Sequence, residues 1–120
     1  MTGRAWSSRF PYIPLRIEFA NSVYSLDLET FIDTGFDGDL ILPLRLFTEL
    51  PSPRGQTTWR MADGSSVDSP YYPTRVQMLG LADTFEANAS LLGDEALIGR
   101  LITNRFRITL DHGREVVVEP

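Results

Sequence analysis

The chain has 120 residues and is acidic, with 16 Asp and Glu against 11 basic residues, a formal net charge of -5 and a pI near 4.7. That balance excludes nucleic acid as the main partner, because phosphate contacts need a basic surface. All 11 basic residues are Arg and there is no Cys, which excludes disulfides, thiolate metal sites, cysteine nucleophiles, lysine Schiff bases and a P-loop lysine.

The length fits one domain over residues 1–120, large enough for a hydrophobic core of its own. No apolar run approaches the roughly 20 residues that span a bilayer. Residues 1–15 lack the continuous apolar core of a signal peptide. A soluble, cytoplasmic protein with no membrane contact is expected. "NAS" at 88–90 fits a glycosylation sequon, which has no use without a secretory signal.

Apolar residues recur mostly with period two, between Gly and Pro breaks, and this predicts strands. "PLRIEF" (14–19) sets Leu15, Ile17 and Phe19 against Arg16 and Glu18. After a turn at 20–22, "VYSLDLETFID" (23–33) sets Tyr24, Leu26 and Leu28 against Val23 and Ser25. The two segments predict a hairpin whose second strand ends at Asp33. "DLILP" (39–43) predicts a short buried strand, "LRLFTEL" (44–50) a helical turn or two, and "PSPRG" (51–55) a loop. "TTWRMADGSSVDS" (57–69) predicts a second hairpin with Asp63-Gly64 at its tip. "TRVQMLG" (74–80) predicts a strand, and "TFEANASLL" (84–92) another, with Phe85, Ala87, Ala89 and Leu91 on one face. "GDEALIG" (93–99) starts as a loop and finishes buried. "RLITNRF" (100–106) is the best helix candidate, with Leu101, Ile102 and Phe106 turned inward. "FRITLDHGREVVVE" (106–119) predicts a terminal hairpin. His112, the single His, falls in its turn, without the companions a zinc site or a triad requires. The expected fold is all-β with one short helix, built as a small barrel or sandwich.

One stretch carries chemistry. In "TFIDTGFDGDLILP" (30–43) a carboxylate, Asp33, stands in Asp-Thr-Gly between two apolar segments. Alone the tripeptide also suits a turn in which the carboxylate accepts backbone N–H bonds. Its setting is more telling. A strand leads into it, a Gly-tipped hairpin follows, and "ALIGR" then leads into the helix candidate.

That order resembles the retropepsin-like, or retroviral-type, aspartic proteases of clan AA. It is closest to their prokaryotic single-domain members in "DTGFDG", "MADGS" and "LIGRLITNRFRITLDHGREVVVEP", and it extends from about Pro14 to the end. The resemblance implies an acid-protease barrel and hydrolysis of peptide bonds by water held between two carboxylates. Like charges about 3 Å apart cannot both ionise, so one acts as base and the other as acid. The chain has only one Asp-Thr-Gly. The second carboxylate is therefore expected from another copy of the chain, in a two-fold homodimer.

The same resemblance implies roles for named residues. Asp33, Thr34 and Gly35 form the catalytic loop. Asp33 acts on water, Thr34 bonds across the dimer axis, and Gly35 allows the tight backbone path. Phe36, Asp37 and Gly38 bind substrate, as do Ala62, Asp63 and Gly64 at the tip of a covering flap. Ile98 and Gly99 pack beneath the Asp33 loop, and Arg100 pairs with Asp37. Read without the resemblance, Arg100 also suits a residue solvating a helix start, and Asp63-Gly64 an ordinary turn. No metal and no organic cofactor is implied.

Three features depart from the viral pattern. Phe36 stands where a small residue is usual, and its ring either fills part of a substrate pocket or packs inward. Leu101 replaces a polar residue. "REVVVEP" looks like a hairpin arm, where viral enzymes knit their termini into an interface sheet. The function expected is a homodimeric aspartic endopeptidase acting on peptides or proteins. The alternative is a catalytically silent dimeric module that binds peptides or a partner on the same fold.

Overall fold

The computed structural model describes residues 4–120. Its strands are β1 (Ala5–Ser7), β2 (Tyr12–Phe19), β3 (Ser25–Ile32), β4 (Leu40–Leu42), β5 (Gly55–Arg60), β6 (Ser66–Met78), β7 (Thr84–Leu91), β8 (Leu97–Ile98), β9 (Arg107–Asp111) and β10 (Glu115–Glu119). The helical elements are a 3-10 turn at Leu44–Thr48 and the single-turn α1 (Arg100–Thr103).

The alternation read from the sequence sets the barrel wall. β2 and β3 pair antiparallel from Tyr12↔Phe31 to Glu18↔Ser25. Leu15, Ile17 and Phe19 all turn inward and are buried. Pairings then run β3–β8, β8–β4, β4–β7, β7–β6 and β6–β2, so six strands close on themselves. Closure leaves no open edge in the ring, which is how a small β domain protects its backbone groups. The interior is filled by aliphatic side chains from several strands, Ile13, Leu42, Val76, Met78, Leu91 and Ile98 among them. Two buried hydroxyls close their own accounts: Thr30 donates to the Ile13 carbonyl and Thr74 to the Ala87 carbonyl.

β5 does not belong to the ring. It pairs only with the first part of β6, from Gly55↔Tyr71 to Arg60↔Ser66, and the two project as a hairpin. A second sheet, in the order β1-β10-β9, packs Ala5, Val116 and Val118 onto the same core.

Four expectations change. Gly55 opens β5 instead of closing a loop. β6 runs unbroken through Pro70 and Pro73, where separate segments were expected. Each Pro has a strand partner on one side only: Pro70 precedes the β7 and β2 pairings, and Pro73 falls between the end of β5 and the start of β2 pairing. A missing N–H is tolerated where one flank has no ladder to satisfy. β1 was not foreseen, and it makes β10 a central strand as well as a hairpin arm. Finally, α1 is too short to turn all three apolar residues inward. Ile102 is buried and Phe106 packs on the core, but Leu101 is 57% exposed. His112 does sit in the β9–β10 turn, exposed and with φ of 53°.

Candidate active site

β3 carries the chain to Ile32 and Asp33 follows at once. β3 and β8 pair in parallel, Phe31 with Leu97 and Ile32 with Ile98. The Asp33 N–H extends this ladder, donating to the Ile98 carbonyl at 3.0 Å. The loop then folds tightly: the Phe36 N–H donates to the Asp33 carbonyl, and the Gly35 N–H donates to Asp33 Oδ1 at 2.9 Å. The bland role of a turn carboxylate is therefore met, while the other oxygen of this half-buried group is left for other work.

The far side of the loop is stapled to the start of α1. Gly99 N–H donates to Asp39, Arg100 N–H to Phe36 and Leu101 N–H to Gly38, all at backbone carbonyls between 2.9 and 3.2 Å. These contacts require glycines. A Cβ on Gly99 would lie 2.5 Å from Phe36 Cδ2 and 2.7 Å from the Phe36 carbonyl oxygen. A Cβ on Gly38 would lie 2.5 Å from Phe36 Cζ and 2.9 Å from the Trp59 ring. The phenyl ring of Phe36 thus occupies space that both glycines leave free. It also meets the Trp59 indole, with ring centroids 5.2 Å apart.

Arg100 takes a different partner from the one expected. Its Nη1 donates to the Thr34 carbonyl at 3.3 Å, and it makes no ion pair with Asp37. Asp37 is exposed, so its carboxylate keeps its water and gains little from pairing. Arg100 still braces the Asp33 loop, by way of backbone.

Above the loop stands the β5–β6 hairpin. Its tip is closed by the Met61 N–H donating to Ser65 and the Gly64 N–H to Met61, with Gly64 at φ of 88°, a conformation that suits glycine. Asp63 Oδ1 accepts both the N–H and the O–H of Ser65, at 2.9 and 2.5 Å. Those bonds hold the Asp63 carboxyl below its ordinary value, the hydroxyl contributing most.

Between hairpin and loop lies a cleft of about 460 Å³. Asp33, Gly35, Phe36 and Leu97 line it, with Trp59, Met61 and Ala62 from the hairpin. The segment from Leu92 to Glu95 lines it as well. Of the residues expected to meet substrate, the single chain brings Phe36 and Ala62 to this cleft together with Asp33 and Gly35. Asp37, Gly38, Asp63 and Gly64 do not line it. Ile98 is fully buried and Gly99 packs against Phe36. A larger groove of about 700 Å³ lies over Glu18, Arg75 and Glu86 on the outer barrel face, and none of the site residues lines it.

Sequence reasoning missed Trp59, Met61 and the wall at Leu92–Glu95. Trp59 had a signal, since a large aromatic on a strand beside a Gly-tipped turn is placed to lean over whatever the hairpin covers. The wall had none that was local. It is braced from β2, where the Tyr12 hydroxyl donates to the Glu95 carboxylate. That bond is the first cause of Tyr12 being pushed above its usual range. The Arg9 guanidinium lies 3.8 Å above the Tyr12 ring and adds a cation–π contact.

Among the described residues no group of three or more His, Asp or Glu stands ready to hold a metal ion, and no helix is long and apolar enough to cross a membrane. No protein-family profile matches the chain, and no curated protein matches it. The solved structures do offer a match. The chain is similar to a retropepsin-like aspartic protease from Rickettsia conorii, with a TM-score of 0.55 and 20% sequence identity, over 96% of this chain and 87% of that one. The fold built here, a closed all-β barrel with a covering hairpin and one short helix, is a retropepsin-like fold.

Proposed function

We propose that the chain is an aspartic endopeptidase that works as a homodimer. The observation that carries this reading is the position of Asp33. It hangs from Ile98 by backbone, keeps one oxygen on Gly35 N–H, and lines a cleft beneath a Gly-tipped hairpin.

One chain supplies one such carboxylate. A two-fold axis beside Thr34 brings the partner's Asp33 opposite, and only then is the site complete. Two carboxylates brought together on that axis cannot both carry charge, so one acts as base and the other as acid. The ionised carboxylate takes a proton from a water held between them. The water oxygen attacks the peptide carbonyl carbon, and the protonated carboxyl gives its proton to the carbonyl oxygen. The tetrahedral diol then collapses as the nitrogen leaves with a proton from the dyad. The hairpin excludes bulk water while this happens. A peptide or protein substrate lies extended between the hairpin and the Asp33 loop, and a cytoplasmic setting agrees with a chain that has no Cys.

Asp33→Asn keeps the shape and removes the base. Wild type and variant are compared on a peptide library between about pH 4 and 7. Cleavage by wild type alone supports the endopeptidase. Equal cleavage by both overturns it. Peptide binding by both with cleavage by neither selects the silent dimeric binding module.

A further inference from the structure

We propose that Phe36 and Trp59 close one wall of the cleft, so that the substrate side chain facing them has to be small, as in Gly, Ala or Ser. This rests on the endopeptidase reading and adds a substrate class to it.

The argument starts with the two glycines. The places where Cβ atoms of Gly38 and Gly99 would stand are both within 2.5 Å of Phe36 ring carbons. The ring therefore lies directly on bare backbone. Without it, a pocket would open from the cleft down to that backbone, since neither glycine has a side chain to fill it. Trp59 seals the upper side. Its ring sits 5.2 Å from Phe36 at a tilt of 59°, and both residues line the cleft beside Asp33. The wall thus joins the Asp33 loop to the hairpin.

Shape decides what fits. An extended peptide points alternate side chains to opposite sides. A side chain aimed at the aromatic pair meets packed rings, whereas the next one along the peptide points away from them. Closely packed rings resist being displaced, since moving them leaves voids against Gly38 and Gly99. A branched or aromatic side chain on that side is rejected by overlap.

The test uses fluorescent peptides in matched pairs, Ala against Leu at one position at a time. Cleavage is followed with wild type, Phe36→Ala and Phe36→Leu. Binding is followed by anisotropy with the same three chains in the Asp33→Asn background. At one position, Leu should lower wild-type kcat/KM about tenfold or more relative to Ala, the scale of discrimination a closed pocket achieves. Phe36→Ala should erase that preference in cleavage and in binding. Phe36→Leu keeps an apolar filling over the glycines, and should fall between the two. An unchanged Ala preference in both variants overturns the proposal, as does the absence of any position at which wild type disfavours Leu. If Asp33→Asn cleaves as well as wild type, the endopeptidase reading fails instead, and the anisotropy series still decides whether the wall excludes large side chains.

Discussion

The backbone N–H of Asp33 donates to the carbonyl of Ile98 at 3.0 Å, so the candidate carboxylate is held by the strand that leads straight into Gly99 and Arg100. Two segments far apart in sequence thereby form one rigid unit. Ile98 is fully buried in the barrel, which fixes the height of Asp33 above the core. Gly99 lets the Phe36–Gly38 backbone lie against it.

Gly99→Ala tests that unit. Its new methyl would overlap Phe36 and the backbone of Gly38, and backbone cannot swing aside as a flexible side chain would. The expected loss is about 1–3 kcal/mol, as for overpacking a filled interior. Urea unfolding measures it. Peptide cleavage should fall further than the population of folded chain explains, because the methyl pushes on the loop that holds Asp33.

Arg100 acts through the Thr34 carbonyl, and its two readings separate cleanly. Arg100→Ala should lower kcat/KM about tenfold, or roughly 1.4 kcal/mol, in the range of one charged hydrogen bond. Asp37→Asn in the Arg100→Ala background should then have the same effect that it has alone, because the two residues do not pair in this fold. Kinetics of both single variants and the double variant give the coupling. A large coupling would show that Arg100 serves Asp37.

The flap tip should keep its turn in mild acid. Asp63 is held below its ordinary value of 3.8 by Ser65. A carboxyl with a lowered folded value stabilises the fold fully above the ordinary value, and that contribution is lost as pH falls through the lowered one. Ser65→Ala removes the larger cause, so the Asp63 titration should move up toward the ordinary value. NMR titration of the Asp63 carboxyl measures the change.

The Tyr12–Glu95 contact braces the Leu92–Glu95 segment that lines the cleft. Tyr12→Phe removes the donor hydroxyl and keeps the ring under Arg9. KM should rise about 3- to 10-fold, the scale of one hydrogen bond, with kcat nearly unchanged, because Glu95 shapes the cleft and takes no part in moving protons. Steady-state kinetics on a single peptide separates the two constants.

How much of this was legible in the sequence depended on range. The β2–β3 hairpin, the inward face of β7 and the tip at Asp63-Gly64 follow from period-two alternation and turn chemistry, which are local. The Asp33 loop was legible through its motif and the order of the surrounding elements. β1 was not, because Ala5-Trp6-Ser7 becomes a strand only by pairing with β10 near the other end of the chain. Pro70 and Pro73 argued against a long β6, and their tolerance depends on which neighbours flank each one. Leu101 looked like core because it is apolar, but one turn of helix has a narrow buried face and Ile102 takes it. The Phe36 alternatives were open for a similar reason. Which alternative holds depends on Gly38, Gly99 and Trp59, which meet the ring only in the folded barrel, where it packs on the glycines and is among the residues lining the cleft.

The central claim is that catalysis requires one Asp33 from each of two chains. It is tested most directly by mixing wild type with Asp33→Asn in equal amounts at fixed total protein, allowing the subunits to exchange, and measuring peptide cleavage. If both carboxylates are needed, only wild-type homodimers cut, and random pairing leaves about one quarter of the wild-type rate. A rate of about one half would mean that each chain works alone, and would contradict the shared site.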